Sequence, residues 1–272
     1  MRTLVRFAVL MLVAHGVFAD PVNRTRVLLP LYLQGPVAGA FGSFWQSRFT
    51  IHNGDAIDYF IETCTVVGSI SSLGCLPIGI PDEDVQPNET QSGLPGRYPS
   101  PVNGAAGAVI YLEACCNPDL LPGDPGKVSM ELRITDISRS ATSAGTEVPV
   151  VRESEFRTST LTLLDVPVDD ARFRPALRLF EMNLDQAAFT VRIFDQDTNA
   201  LLSERQVTTS TPPQPATRFQ PGFVEMRDLV PSGAQPSSLR IEIAPQTSGS
   251  ASWAYVAITN NDSQQVTLVT PQ

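Results

Sequence analysis

One alternating segment constrains the fold of this chain more than any other: Ser43-Phe44-Trp45-Gln46-Ser47-Arg48-Phe49-Thr50-Ile51-His52-Asn53-Gly54. An extended chain places Trp45, Ser47, Phe49 and Ile51 on one side and the polar residues from Gln46 to His52 on the other. This period of two predicts a β-strand with one buried face. Asn53-Gly54 ends the segment, and both residues tolerate the positive φ that a tight hairpin turn needs. We therefore expect a hairpin there, with a second strand from Ile57 to about Val66.

The same alternation returns 128 residues later in the sequence, without a gap. The corresponding residues of the two copies are Trp45 and Phe173, Phe49 and Leu177, and Ile51 and Leu179. A second hairpin is expected to begin at Ala187. The repeat predicts a tandem β protein, because each copy carries its own half-buried strand.

Short alternating segments continue through the rest of the chain, separated by turns rich in Gly, Pro and Asn. In the clearest of them, Val128, Met130, Leu132 and Ile134 alternate with polar residues, and no amphipathic helix of useful length is found. Short strands at regular spacing are typical of antiparallel sandwiches, in which each sheet buries its apolar face against a partner sheet. The predicted fold class is therefore all-β, with two tandem antiparallel β-sandwich domains of the immunoglobulin-like kind.

The predicted domain boundaries follow from the repeat. The first sandwich covers residues 22–137 and the second covers residues 158–272. The segment 138–157 is polar and rich in small residues, so we interpret it as the crossing between the two domains.

Residues 1–19 have the pattern of a signal peptide that is cleaved on export. Arg2 and Arg6 form a positively charged start, and a mostly apolar run from Phe7 to Phe18 leads to Ala19. The run is too short for a comfortable membrane span of about 20 residues, and no later apolar stretch is long enough to form one. The mature protein is therefore expected to be secreted or periplasmic, without a membrane span.

The charge balance narrows the range of partners. The chain has 28 acidic and 19 basic residues and a net charge of −9, and loss of the signal peptide makes it more acidic. Binding to nucleic acid or to an anionic membrane needs clustered Lys and Arg, so neither is an expected partner. The expected partner is a protein or a glycan of unknown identity.

Four cysteines in an exported chain predict two disulfides. The favoured connectivity pairs Cys64 and Cys75 each with one of Cys115 and Cys116. A bond between the neighbours Cys115 and Cys116 is the least favoured, because it closes a strained ring. A zinc site is the rival interpretation, but the C-x-x-C spacing of structural zinc is missing.

The alternation fails over residues 68–107, a loop rich in Gly, Pro, Ser and Asn. Loops of this length within a compact domain are usually functional, disordered or cross-linked, and Cys75 offers a cross-link here. The candidate binding residues of the loop are Asp82, Glu83, Asp84, Arg97 and Tyr98. The competing interpretation is an insertion without a role, because long surface insertions cost little free energy.

No group of residues forms a catalytic or metal-binding signature, so neither a cofactor nor a metal is expected. His52 is the only histidine of the mature chain, and no G-x-S-x-G segment accompanies it. The segment Asp195-Gln196-Asp197-Thr198-Asn199 resembles the start of a calcium loop. Ala200 and Gln206 stand where such a loop has glycine and glutamate, and a hairpin turn explains the same residues.

Two hypotheses for the function remain. The first is an exported, non-enzymatic binding or structural module that presents its binding surface on loops. The alternative is a secreted hydrolase that acts on polysaccharide through a pair of carboxylates, although the sequence selects no pair among 28 acidic residues. Trp45 and Trp253 would stack on sugar rings if exposed, but their strand positions favour core packing.

Several of these segments resemble those of exported bacterial proteins with tandem β-sandwich repeats and no assigned activity. The likeness is carried by Gly39-Ala40-Phe41-Gly42-Ser43-Phe44-Trp45 running on to Ile51-His52-Asn53, by Ser138-Arg139, by Phe173 to Leu179, and by Trp253-Ala254-Tyr255 with Asn260-Asn261 and Thr267. It implies the fold and the export, and nothing about mechanism. Glu181-Met182-Asn183 departs from the repeat, which has an Asn-led turn at that place, so the two hairpins need not be alike.

Overall fold

The computed structural model of the protein describes residues 24–33, 35–62, 84–92, 107–114, 123–139, 144–169, 171–183, 186–210 and 221–272. These residues confirm the all-β fold, because they form antiparallel strands and single 3-10 turns at Ala40–Gly42, Pro125–Lys127, Ile137–Arg139 and Glu153–Glu155. No helix in this part of the chain is long and apolar enough to cross a membrane.

The first half of the chain forms two sheets. Its strands are β1 (Arg24–Leu29), β2 (Val37–Ala38), β3 (Phe44–Asn53), β4 (Tyr59–Glu62), β5 (Asp84–Val85), β6 (Thr90–Ser92), β7 (Ala108–Ala114), β8 (Val128–Asp136), β9 (Thr146–Val148) and β10 (Val151–Arg152). One sheet has the order β10-β1-β7-β4-β5, and the other has the order β2-β3-β8-β9, with β6 also paired to β3.

These two sheets pack face to face and enclose the core of the first half. Val27 and Ile110 of one sheet lie in the same buried cluster as Phe49 and Leu132 of the other. The alternation in sequence explains the arrangement, because every second side chain of a strand points to the same face. The first half therefore has the character of a β-sandwich, as predicted.

The second half forms a sheet of eight strands. They are β11 (Leu161–Pro167), β12 (Phe173–Glu181), β13 (Gln186–Asp195), β14 (Leu201–Ser210), β15 (Gly222–Met226), β16 (Ser238–Pro245), β17 (Ser252–Asn260) and β18 (Val266–Val269). The order is β11-β16-β13-β14-β15-β12-β17-β18, but β14 and β15 share a single residue pair, Ser210 with Phe223. The sheet divides there into two leaves, whose inward residues Phe189, Ile241 and Val256 belong to one buried cluster.

The two halves share their strand pairing. In the first half the paired strands are β1-β7-β4-β5 and β6-β3-β8-β9, and in the second half β11-β16-β13-β14 and β15-β12-β17-β18 take the same places. The register agrees as well, since Trp45 lies opposite Asp136 and Phe173 lies opposite Asn260. The correspondence of Trp45 with Phe173 that the sequence predicts therefore holds in the structure.

The hairpin predicted at Asn53-Gly54 is wrong, whereas the one predicted to begin at Ala187 is confirmed, since β13 pairs antiparallel with β14. Strand β3 pairs with β8 while β4 pairs with β7, so Asn53-Gly54 is a corner that carries the chain from one sheet to the other. Strands β12 and β13 likewise lie in different leaves. The buried Asn53 side chain fixes the first corner, because its Nδ2 donates hydrogen bonds to the Ile57 and Val85 carbonyls at 2.7 and 2.8 Å. Residues that suit a tight turn also suit a corner of this kind.

Two segments that show no alternation nevertheless contain strands. The described part of the loop 68–107 includes β5 and β6, which pair with β4 and β3 and so attach this segment to both sheets. The described part of the crossing 138–157 includes β9 and β10, which pair with β8 and β1 of the first half. These four strands have only two or three residues each, which is too short to show a period of two.

The two halves pack together through outward faces of their sheets. The residues of this buried interface cluster include Leu28, Val109 and Val151 of the first half and Phe180, Trp253 and Tyr255 of the second. The Phe180 ring stacks on that of Tyr255 with 6.0 Å between the ring centroids. Beside the cluster, Arg26 donates a hydrogen bond to the Met182 carbonyl at 3.0 Å. An apolar interface therefore joins the halves, in addition to the chain itself.

Candidate functional site

A polar cleft of about 290 Å³ lies between the two halves. The first half contributes the start of β3, the end of β8 with the turn after it, and the start of β9, while the second contributes the turn between β17 and β18. The lining residues are Trp45, Asp136, Arg139, Gly145, Thr146, Ser263, Gln264, Gln265 and Val266. The two groups are far apart in sequence, so only the fold brings them together.

Asp136 ends β8 and lines the cleft, and one of its carboxylate oxygens accepts no hydrogen bond. Its side chain is 5% exposed. Its Oδ1 accepts hydrogen bonds from the N–H groups of Phe44 and Ser138 at 3.0 and 3.1 Å, and from the Ser138 hydroxyl at 2.6 Å. Its Oδ2 accepts no hydrogen bond and lies 3.6 Å from Nε of Arg139, with which it forms an ion pair. One oxygen thus organises the turn, and the other is buried beside the guanidinium of Arg139.

The surroundings of Asp136 keep it ionised. Burial raises the pKa of Asp136, but the hydrogen bonds from Ser138 and Phe44 and the charge of Arg139 together bring that pKa below its ordinary value. These groups favour the charged form of the carboxyl. At neutral pH Asp136 is therefore a hydrogen-bond acceptor, whereas a general acid would need a raised pKa.

Trp45 forms an aromatic wall of the cleft in a fixed orientation. Its indole Nε1 donates to Ser43 Oγ at 2.9 Å, and that hydroxyl donates to the Ala40 carbonyl at 2.7 Å. Gly39 leaves room for the indole, since a Cβ there would lie 2.6 Å from Nε1. The ring is half-buried, because it packs against the core of the first half and also lines the cleft. The prediction of core packing for Trp45 therefore describes only part of its surroundings.

The second half supplies the opposite wall as an ordered hairpin turn. Asn260 Oδ1 accepts hydrogen bonds from the N–H groups of Asp262 and Ser263, both at 2.9 Å, and β17 pairs with β18. These contacts close the hairpin between β17 and β18. Thr146 of the first half donates through Oγ1 to the Val266 carbonyl at 2.8 Å, which ties the turn to the other wall.

Arg174 makes a second connection across the halves. It donates a hydrogen bond to Gln264 Oε1 at 2.8 Å, and its guanidinium lies 4.8 Å from the ring centroid of Phe41 of the first half. Gln264 is buried and has a φ of 57°, which the turn imposes on it. Both walls of the cleft are therefore held by hydrogen bonds and by a cation–π contact.

A second buried carboxylate, Asp55, has a structural role. Its Oδ2 accepts from Tyr59 OH at 3.0 Å and from the Asp124 N–H at 2.8 Å, and its Oδ1 accepts from the Ala56 N–H at 2.8 Å and from Lys127 Nζ at 3.1 Å. The Asp124 hydrogen bond contributes most to a pKa of Asp55 far below its ordinary value, against the opposing effect of burial. Asp55 thus ties the corner after β3 to the start of β8, a role that no local sequence pattern signals.

The described residues that the sequence singles out lie apart from one another. His52 Nδ1 is 2.9 Å from Thr90 Oγ1 on the outer face of the sheet. Asp84 lies in β5, Asp195 accepts two backbone N–H groups in the β13–β14 turn, and Trp253 is buried in the interface. Within the described part of the chain, no three His, Cys, Asp or Glu side chains are grouped as a metal site would need.

The remaining predicted residues lie outside the described ranges. They are the signal peptide at residues 1–19, the loop residues Asp82, Glu83, Arg97 and Tyr98, and the cysteines Cys64, Cys75, Cys115 and Cys116.

No family model matches the chain, and neither does any curated protein sequence. Among solved structures it is similar to T=1 particles derived from an infectious bursal virus, with 11% identity, a TM-score of 0.21, and coverage of 93% of this chain and 70% of that one. It is also similar to the VP2 subviral particle of infectious bursal disease virus, with 12% identity, a TM-score of 0.20, and coverage of 92% and 72%. Likeness at these scores carries no argument about fold or function.

Proposed function

We propose that the protein is an exported, non-enzymatic binding or structural module, built of two tandem immunoglobulin-like β-sandwich domains behind a signal peptide at residues 1–19. The observation that carries the proposal is the matched strand pairing of the two halves, which an apolar interface joins. Sandwiches fixed to one another in this way suit the presentation of a surface, because loops and clefts are then held on a scaffold. Export rests on the sequence pattern, and the four cysteines fit an oxidising compartment.

Two of the buried carboxylates, Asp136 and Asp55, support a non-enzymatic role. A hydrolase that acts through carboxylates needs two of them at a set separation, with one pKa raised so that the group can donate a proton. Asp136 is the single carboxylate among the described residues that line the cleft, and its pKa is lowered. The pKa of Asp55 is lowered as well, by groups that hold the fold together.

Arrays of glycans and of proteins, probed with the purified mature chain, test the proposal. We expect specific capture of the chain by members of one array, and no release of reducing ends when the chain is incubated with the captured polysaccharide. Release of reducing ends at a rate that falls when carboxylates are changed to amides would replace this proposal with the hydrolase. A heat-unfolded sample of the same chain is the control for non-specific capture.

A further inference from the structure

We propose that strand β14 is an interface at which two copies of the chain join their sheets, with a two-fold axis at Gln206. The two β14 strands then run antiparallel and continue one leaf from the first copy into the second. This goes beyond the proposed function, because it assigns a partner to a sheet edge and depends on no ligand. The open edge of β14, the direction of its backbone groups and its order of side chains support it.

The outer edge of β14 is open along nearly its whole length. The strand has ten residues, Leu201–Ser210, and pairs with β13 on one side. On the other side it pairs with β15 only where Ser210 lies opposite Phe223. From Leu201 to Thr209, no residue in the described part of the chain pairs with this outer side. A long open edge of this kind is a template for a further strand.

Several other described edges are protected against such pairing. Strand β5, which takes the place of β14 in the first half, and the edge strands β2, β9 and β10 have only two or three residues each. Strand β11 has a register shift between Leu163 and Val166 and ends in Pro167, and β18 is tied to the first half by Thr146. Short edges, bulges and covers are the usual protection of a sheet edge. The segment of β14 from Ser203 to Thr209 has no such protection on its open side.

The pairing of β13 with β16 fixes the direction of the backbone groups in β13. In an antiparallel ladder the N–H and C=O of one residue point to the same side, and the side alternates along the strand. Phe189 lies opposite Pro245 of β16, which has no N–H to donate. The neighbouring Ala188 carbonyl accepts a hydrogen bond from the Gln246 N–H at 2.8 Å. Ala188 therefore faces β16, and Phe189 directs its N–H and C=O to β14.

The same alternation identifies the backbone groups on the open edge of β14. Phe189 lies opposite Val207, so Val207 directs its N–H and C=O inward to β13. Glu204, Gln206 and Thr208 have the opposite direction, and their backbone groups point to the open edge. These residues are also exposed, so a second strand can approach them.

A two-fold axis at Gln206 uses all of these groups. Gln206 then lies opposite Gln206 of the second copy, and Glu204 lies opposite Thr208. Each such pair exchanges two hydrogen bonds, about six in all. A shift of the axis to Val207 would need the edge of Ser210, which already pairs with β15. A shift to Arg205 would place two arginines directly opposite each other, which is destabilising.

The side chains and the scaffold suit a second copy as the occupant. In this register Glu204 faces a threonine and Arg205 faces Val207, so no like charges lie directly opposite each other. Glu204 keeps its ion pair with Arg192 at 2.7 Å, because edge pairing leaves the outward face of the leaf in water. A second copy brings a strand that is already folded, so little ordering is lost on association. The net charge of −9 on each chain opposes the contact, so the dimer should be weak and should strengthen with salt.

The first test is sedimentation velocity of the mature chain from about 1 to about 500 µM. We expect a monomer–dimer equilibrium, with more dimer in about 0.5 M NaCl than in about 0.05 M NaCl. Hydrogen exchange of the Glu204, Gln206 and Thr208 amides should slow as the dimer forms, whereas the Val207 amide already donates to β13 and should not change. A chain that stays monomeric over the whole range would overturn the proposal.

Thr208→Pro tests the backbone contact directly. It removes one outward N–H from each copy and leaves the ladder with β13 intact, because an edge strand tolerates proline where its N–H faces solvent. We expect the association constant to fall at least about tenfold. Thr208→Val is the matched control, because it keeps the N–H and the branched shape, and it should stay within about twofold. The thermal midpoint of each variant checks that it is folded.

Two charged variants test the register. Thr208→Glu places a carboxylate opposite Glu204 of the second copy and should weaken the dimer, whereas Thr208→Lys should strengthen it. Ser129→Glu and Ser129→Lys make the same changes of charge at an exposed site of the first half and control for net charge. If the Thr208 pair differs no more than the Ser129 pair, the register at Gln206 is wrong. If a dimer forms and Thr208→Pro associates as tightly as the unchanged chain, the copies meet elsewhere and the β14 interface is wrong.

Discussion

Replacing Phe180 with alanine should weaken the packing between the second half and the first. Phe180 is fully buried, and its ring centroid lies 5.2 Å from that of Phe223, 6.3 Å from Trp253 and 6.0 Å from Tyr255. Truncation of a buried phenylalanine to alanine costs about 3–5 kcal/mol, from lost transfer free energy and from the cavity left behind. Each of the three ring pairs contributes about 0.5–1.5 kcal/mol of this.

Part of that cost should appear in the first half, where no residue is changed. The face that Leu28 and Val109 present to Phe180 becomes less well covered when the ring is removed. Native-state hydrogen exchange of the backbone amides of β1 and β7 measures the effect, because it reports the free energy of local opening. We expect faster exchange in these strands of the Phe180→Ala variant, with the largest increase for β1 and β7 among the strands of the first half.

Phe189→Ala is the matched control for this experiment. Phe189 is also fully buried, but it lies in the core cluster of the second half and not in the interface. Its loss should lower the stability of the second half by a similar amount and leave exchange in β1 and β7 unchanged. If Phe180→Ala also leaves those strands unchanged, the ring serves only its own half, and the reasoning about the interface is wrong.

Asp55→Asn should lower the free energy of unfolding, measured in urea, by about 1–3 kcal/mol, because an amide group replaces an oxygen that accepts hydrogen bonds. An unchanged free energy of unfolding at pH 7 would contradict the structural role of Asp55. Because the pKa of Asp55 is depressed in the folded state, its contribution should be present above about pH 4 and be lost as the pH falls, so acid unfolding curves of the variant should depend less on pH. Gly107→Ala should destabilise the protein strongly in thermal unfolding, since φ is 74° and a Cβ would lie 2.9 Å from the Leu29 carbonyl oxygen and 3.2 Å from Phe180 Cε1. Gly233→Ala, at a φ of 86° with open space around it, should cost only the backbone strain of about 1–2 kcal/mol, and equal losses for the two variants would contradict the steric argument.

The strands that could be predicted from the sequence are those whose alternation is long enough to be seen. Val128, Leu132 and Ile134 alternate with polar residues over nine residues of β8, and they are buried in the core as expected. The correspondence of Trp45 with Phe173 could also be predicted from the sequence. A spacing that repeats within one chain can be recognised without knowing which strands pair.

Strand partners and the cleft could not be predicted, because both depend on contacts between distant segments. Asn53-Gly54 has the composition of a hairpin turn, but the side chain of Asn53 is buried as the brace of a corner between sheets. Strand β15 has five residues and follows a segment without alternation, so nothing marks it. No sequence pattern marks Asp136, because its place beside the cleft depends on the distant turn at Ser263.

The interface between the halves joins unlike faces. The first half uses the outward face of the sheet that holds β1 and β7, and the second half uses the outward face of the leaf that holds β12 and β17. Because the strand pairing of the halves is the same, this is a head-to-tail contact between repeated units. When the two faces that stay exposed match, contacts of that type close into rings if the rotation between units allows it, and otherwise they generate open-ended fibres.

The interface leaves one outward sheet face of each half exposed. These two faces do not match, because both carry charge. On the first half, β8 presents Arg133 paired with Glu131 at 2.8 Å. On the second half, the face that corresponds to the apolar one of the first carries the ion pairs Arg192 with Glu204 at 2.7 Å and Arg240 with Glu242 at 3.3 Å. Burying these pairs in a further head-to-tail contact would cost more solvation than the contact returns. Surface charge on both faces thus disfavours a further head-to-tail contact on either side.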